Sequence, residues 1–194
     1  MRIGIDIDNV ISDMTNALLE AYLEQDKKLR NTGIINPNAK IRHGMFDWSK
    51  EEEENFYYSN IERLAKEFKL IQNSKETIDK LKEDGHEIYI ITGRANGEYS
   101  NPLDMTVTWL KQNNIYYDKL ILTDAYDSHA KTVECKKYNI DIMIDDNIST
   151  CLDLKENGVR VLTMNTPFNM TENDLQRVNN WDEIYSIIRK ETKQ

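Results

Sequence analysis

The chain has 194 residues, with 25 basic against 34 acidic side chains for a formal charge of −9, and 39% hydrophobic residues. That length suits one α/β domain, or one domain with a modest insertion, and buries a sizeable core. The acidic balance gives no electrostatic footprint for a nucleic-acid polymer, so an anionic ligand would have to be small and met by a local inversion of charge. Cys135 and Cys151 have no C-x-x-C spacing and no histidine partner, which predicts free buried thiols. No signal peptide precedes the first strand and no apolar stretch approaches the roughly 18 residues of a membrane span. A soluble, cytoplasmic protein is expected.

The opening run, Arg2-Ile3-Gly4-Ile5-Asp6-Ile7-Asp8-Asn9-Val10-Ile11, is an apolar strand that ends in two carboxylates two positions apart. Alternation on a buried strand puts Asp6 and Asp8 on one side, at the C-terminal edge where open α/β sheets bind their ligands. Met14, Ala17, Leu18, Ala21 and Tyr22 then recur at helical spacing, and a loop from Gly33 to Pro37 follows. Ser49 with Glu52 reads as a capping box before a second stripe of Ile61, Leu64, Ala65 and Phe68. Residues 13–72 are therefore expected to form an all-helical insertion.

From Ser74 the rhythm becomes strand and helix alternation, which predicts a parallel sheet with crossover helices. A helix through Leu81 stops at Gly85, and the strand from His86 to Ile91 runs into Thr92-Gly93-Arg94. Asn101-Pro102 opens a helix, with the asparagine as cap and the proline in its first turn. Lys119 to Leu122 is a third strand, Ser128 is the expected cap of a helix through Tyr138, and Ile140 to Ile144 is a fourth strand ending in Asp145-Asp146. A helix through Leu154 stops at Gly158, Val159 to Thr163 is a fifth strand, and Asn180 with Glu183 opens a closing helix.

Parallel strands present their C-terminal ends on one edge, so Asp6, Asp8, Thr92, Lys131, Asp145 and Asp146 are expected to converge. Carboxylates gathered so closely repel: two unit charges 4 Å apart cost about 4 kcal/mol at an effective dielectric of 20. A cation must sit among them, and oxygen ligands without cysteine or histidine favour Mg²⁺. A strand-end Asp-x-Asp is a weak signal alone; joined in this order to Thr92, Lys131 and the acidic pair it becomes a strong one.

In this order and spacing the chain resembles the haloacid dehalogenase-like (HAD) phosphohydrolase superfamily, whose motifs read here as Asp6-Ile7-Asp8-Asn9-Val10, Thr92, Lys131 and Asp145-Asp146. Ile91-Thr92-Gly93-Arg94, Trp109-Leu110 and Ile144-Asp145-Asp146-Asn147 make it similar to the 5'(3')-deoxyribonucleotidase branch. The resemblance implies an α/β fold: a Rossmann-like core with a central parallel sheet over residues 1–12 and 73–194, and a helical cap inserted after the first strand at 13–72. It also implies a Mg²⁺-dependent phosphomonoester hydrolase for a small phosphorylated metabolite, a nucleoside monophosphate first among them, with no nucleic-acid or membrane partner. Asp6 would be the nucleophile and Asp8 the general acid and base, its pKa raised by neighbouring charge and partial burial. Thr92 and Lys131 would hold the phosphoryl group, and Asp6, Asp8 through its carbonyl, and Asp145 or Asp146 would hold the metal. Asn9 stands where that family often has glycine, and asparagine tolerates the positive φ such a turn needs.

Several residues have plainer readings. Thr92 could be a strand-terminating hydroxyl, and Lys131 a solvated helix lysine with Lys136 and Lys137 as competitors. Arg94 either grips substrate phosphate or lines the sheet edge. In the aromatic set of Phe46, Trp48, Phe56, Tyr57 and Tyr58, most rings are expected to form the insertion's own core. Phe46 and Trp48, on the loop before Ser49, are the candidates to stack on a nucleobase. The alternative functions are a phosphatase of the same superfamily for a sugar phosphate or other metabolite, and a phospho-accepting signalling domain. The latter places its acidic pair first and its acceptor on the third strand, without a helical insertion, and this chain has neither feature.

Overall fold

The computed structural model describes residues 1–95, 98–171 and 174–191. In chain order it contains β1 (Arg2–Ile5), α1 (Met14–Leu29), α2 (Lys50–Glu67), α3 (Ser74–Glu83), β2 (Glu87–Thr92), α4 (Pro102–Gln112) and β3 (Lys119–Leu122). There follow α5 (Ala130–Lys137), β4 (Ile142–Asp145), α6 (Ile148–Glu156), β5 (Arg160–Met164), β6 (Arg177–Val178) and α7 (Trp181–Glu191). The strands make one parallel six-stranded sheet in the order β3-β2-β1-β4-β5-β6. The chain winds outward from β1 to β3, then crosses back to β4, so β1 and β4 flank the switch point where such sheets open a crevice.

Alternation along the strands sorts two cores. Ile3, Ile5, Ile88, Ile90, Ile142 and Ile144 face Ile78, Leu81, Trp109, Leu110, Trp181 and Ile184 on α3, α4 and α7. Tyr89, Ile91, Met143 and Val161 face Cys135, Cys151 and Leu154 on α5 and α6. Both cysteines are free and buried, as expected. Gly4 lies on the second face, where an added Cβ would come 2.6 Å from Met143 Sδ. No helix among the described residues is long and apolar enough to cross a membrane.

Between β1 and α3 the chain leaves and rejoins the sheet through a paired stalk. Asp13 N–H donates to the Lys69 carbonyl and Ile71 N–H to the Ile11 carbonyl, each at 2.8 Å. Two indoles brace it: Trp181 Nε1 donates to the Val10 carbonyl at 2.8 Å, and Trp109 Nε1 to the Phe68 carbonyl at 3.0 Å.

Beyond the stalk, residues 13–72 are not all helical. The Ser49–Glu52 capping box forms as predicted at the start of α2. Residues 30–49 instead form an ordered connection, with an isolated antiparallel bridge between Ile34 and Phe46. Asp26, buried near the end of α1, holds this connection by accepting from Gly33 N–H at 2.7 Å, Trp48 Nε1 at 3.0 Å and Thr32 Oγ1 at 3.3 Å. Burial alone would raise the Asp26 pKa, but these donors keep it below the usual carboxylate value.

The two loop aromatics singled out as base-stacking candidates are part of the insertion's interior. Phe46 is 1% exposed and Trp48 8%; the Trp48 ring stacks on Tyr22 with centroids 5.1 Å apart, and Phe56 stands edge-on to Tyr22 at 4.8 Å. With its indole N–H committed to Asp26 and its face to Tyr22, Trp48 offers no free surface to a ligand, and Phe46 packs in the same cluster.

Smaller differences concern two element ends and one short strand. The cap of α5 is His129, without a side-chain hydrogen bond, and not Ser128. The short β6 was not foreseen. The fourth strand starts at Ile142, two residues later than expected.

Candidate active site

The sheet ladder carries β1 one residue past its end, because Asp6 N–H still donates to the Ile144 carbonyl at 3.0 Å. The chain then folds back: the Ile7 carbonyl accepts from Val10, Ile11 and Ser12, and Asn9 takes the left-handed turn position at φ 60°. Asparagine is one of the few residues besides glycine that visit this conformation routinely. Its side chain ties the loop to its surroundings, accepting from Thr15 N–H at 2.9 Å and donating to Asp146 Oδ2 at 3.1 Å.

Asp6, Asp145 and Asp146 bring carboxylate oxygens within 4.8 Å of one another. Lys131, buried on the first turn of α5, lies among them: its Nζ is 2.6 Å from Asp145 Oδ2 and 3.0 Å from Asp6 Oδ1. The two carboxylates push the Lys131 pKa up against the effect of its burial, so the amine stays charged. Its sequence competitors point elsewhere, Lys136 to Asn157 and Lys137 to Glu134.

The adjacent acidic pair divides in role. Asp145 is fully buried, with Oδ2 bound to Lys131 and Oδ1 accepting the Asn147 amide at 2.9 Å. Asp146 faces the cleft beside Asp6 and Asp8. Burial and the neighbouring Asp145 and Asp6 charges raise its pKa well above the ordinary value. Asp6 is likewise raised, to about 6, by burial and by Asp145 and Asp8, with Lys131 opposing.

Asp8 departs from expectation. Arg94, 1% exposed, binds it in fork geometry, with Nε to Oδ2 at 2.8 Å and Nη2 to Oδ1 at 2.5 Å, and Ser12 Oγ donates to Oδ1 at 3.1 Å. Burial would raise the Asp8 pKa, but the guanidinium outweighs it and the carboxyl sits below its usual value. The partner of Arg94 in this structure is thus the Asp8 carboxylate. Ser12 carried no signal in the sequence beyond its closeness to the motif.

Among the described residues, three buried polar atoms at the site have no hydrogen-bond partner: Asp6 Oδ1, close enough to Lys131 for an ion pair but not aligned as a hydrogen bond, Thr92 Oγ1 and Arg94 Nη1. Buried polar atoms are rarely left so, and a cleft lined by Asp6 and Thr92, with an acceptor and a hydroxyl in that state, is suited to a ligand with both metal and oxyanion character. The donor set fits a hard cation, being all oxygen. The cleft itself has a volume of about 250 Å³ and is lined by Asp6, Asp8, Thr92, Lys131 and Asp146.

Comparison with known proteins agrees with this geometry. The family model described as 5' nucleotidase, deoxy (pyrimidine), cytosolic type C protein matches residues 1–194. YqfW of Bacillus subtilis (strain 168) is 29% identical over 186 residues, covering 94% of this chain and 91% of its own. Nucleotidase CA_C3379 of Clostridium acetobutylicum is 28% identical over 192 residues, covering 97% and 93%. Among solved structures, a HAD family hydrolase from Deinococcus radiodurans R1 with bound phosphate and sodium superposes with a TM-score of 0.67 at 8% identity, over 97% of this chain and 95% of that one. At that identity the likeness concerns the fold. By sequence across its whole length this chain belongs to the 5' nucleotidase, deoxy (pyrimidine), cytosolic type C family of phosphomonoester hydrolases, on a fold shared with HAD hydrolases.

Proposed function

We propose that the protein hydrolyses a nucleoside monophosphate through an aspartyl-phosphate on Asp6, with Mg²⁺ bound and residues 13–72 acting as a cap over the core at 1–12 and 73–194. The observation that carries this is the junction of Asp6, Asp146 and Lys131 beside the unpartnered Thr92 hydroxyl. The nucleotide half is supported by the family and by the nucleotidase from Clostridium acetobutylicum.

Asp6 and Asp146, with the backbone carbonyl of Asp8, are the groups that would hold the ion, because Asp145 is already engaged by Lys131 and Asn147. Bound there, Mg²⁺ supplies charge stabilisation to the phosphoryl oxygens. An Asp6 oxygen attacks phosphorus and the bond to the leaving oxygen breaks. Lys131 and Thr92 neutralise and orient the transferring group. Asp8 gives its proton to the departing alkoxide, then takes one from water as water displaces Asp6 from phosphorus. For the first step Asp8 must be protonated, and an incoming phosphate dianion favours that by adding negative charge beside it.

The test is phosphate release across a panel of nucleoside monophosphates, sugar phosphates and an aryl phosphate. Asp6→Asn should lower turnover by roughly 10⁴-fold or more. A chelator should abolish it and added Mg²⁺ restore it. Near wild-type rates in Asp6→Asn would remove the nucleophile assignment, and a preference for sugar phosphates would shift the substrate class.

A further inference from the structure

Two compartments meet at Asn9 and Asp146, next to the catalytic aspartates, and their rims differ in charge. Beyond Asp6, Asp8 and Asp146, the compartment on the Thr92 side is edged by Glu98, Asp124 and Asp127. The other, a cavity of about 310 Å³, shares Asn9, Met14, Asp146 and Asn147 with it and extends toward residues 40–43 of the insertion. There the titratable side chains, apart from the shared Asp146, are Lys40, Arg42 and His43. Arg42 is paired with Glu98 of the other rim, so among the described residues Lys40 is the cation this rim holds without a carboxylate partner, in a chain of net charge −9.

Lys40 makes no ion pair among the described residues, and both it and His43 are exposed to the cavity's solvent. Arg42 is fixed: its guanidinium lies 3.4 Å from the Tyr57 ring centroid and 3.8 Å from Glu98 Oε1. The opposite wall is the start of α6, Ile148 and Ser149, so the positive end of that helix fronts the same space. Between these lie the apolar side chains of Met14, Leu18, Ile41 and Phe168. A volume of this size with apolar walls and convergent polar groups is typical of a small-molecule subsite.

We propose that this cavity receives the leaving group of the substrate and that Lys40, with His43 beside it, binds a second phosphate carried on it, making nucleoside bisphosphates the preferred substrates. The conclusion rests on the nucleotidase reading above and adds a preference within it. The apolar walls take the nucleoside body, and the basic rim takes the distal phosphate. The acidic rim on the Thr92 side disfavours the reverse placement.

The experiment compares kcat/KM for a nucleoside 5'-monophosphate and the corresponding 3',5'-bisphosphate, measured as release of the first phosphate, in wild type, Lys40→Met and Lys40→Glu. Charge-assisted hydrogen bonds predict a bisphosphate preference of about tenfold or more in wild type. That ratio should fall in Lys40→Met, fall further in Lys40→Glu, and shrink with added salt. Equal kcat/KM for the two substrates in wild type, or a ratio that both variants leave intact, overturns the subsite while leaving the nucleotidase assignment standing. Hydrolysis of an aryl phosphate with no turnover of either nucleotide overturns both.

Discussion

The interior of the insertion and the edge of the sheet are both buried and both rich in polar atoms, yet they treat those atoms differently. In the insertion, Trp48 Nε1 finds Asp26, Tyr22 O–H donates to the Glu53 carbonyl at 3.0 Å, and Glu53 Oε1 accepts from Gly44 N–H at 2.9 Å. At the sheet edge, Asp6, Thr92 and Arg94 each keep a buried atom without a hydrogen-bond partner among the described residues. A satisfied network fixes a shape; an unsatisfied one is completed by something that arrives. The contrast separates residues whose loss should be felt in folding from those whose loss should be felt in turnover.

Substitutions can break that separation. Lys131→Met removes the cation between Asp6 and Asp145 and should lower kcat by about 10²–10³-fold, comparable to loss of a single transition-state donor. It should also cost stability, since two buried carboxylates lose their partner. Trp48→Ala belongs to the other class: a loss of about 3–5 kcal/mol in chemical denaturation, with turnover per folded molecule kept on an aryl phosphate. A fall in aryl-phosphate kcat equal to that in Lys131→Met would show that the two regions are not separable.

Asp26→Ala should be milder, about 1–3 kcal/mol, because it strands the Trp48 and Gly33 donors without opening a large cavity. The smallest effect is of pH. The Asp26 pKa is depressed in the fold, so its stabilising contribution is present above the unfolded value near 4 and is lost as pH falls through the folded value. Near-UV circular dichroism of the Trp48 cluster should therefore decay in acid, and Asp26→Asn should flatten the part of that decay due to this residue.

The sheet edge was largely legible in the sequence because each of its groups follows an apolar run whose period marks a strand. Asp6, Thr92 and Asp145 sit at ends the pattern defines, and Lys131 lies in the first turn of the helix that follows the third strand. The Arg94–Asp8 pair was not legible: its members are 86 residues apart, and no local period relates them. The connection over residues 30–49 has no period at all, so Phe46 and Trp48 read as loop aromatics. Their burial depends on an acidic residue late in α1 that, by sequence alone, resembles any solvated helix side chain. A strand as short as Arg177–Val178 carries too few residues for alternation to show.

The three tryptophans lie at three separate mechanical positions, and each indole N–H has a named acceptor. Trp181 and Trp109 hold the two chain segments of the stalk, at Val10 and Phe68, while Trp48 lies inside the insertion against Asp26. Intrinsic fluorescence is thus already partitioned by the fold. Replacing the indoles one at a time by phenylalanine would let the same emission signal distinguish movement of the stalk during a catalytic cycle from loosening of the insertion itself.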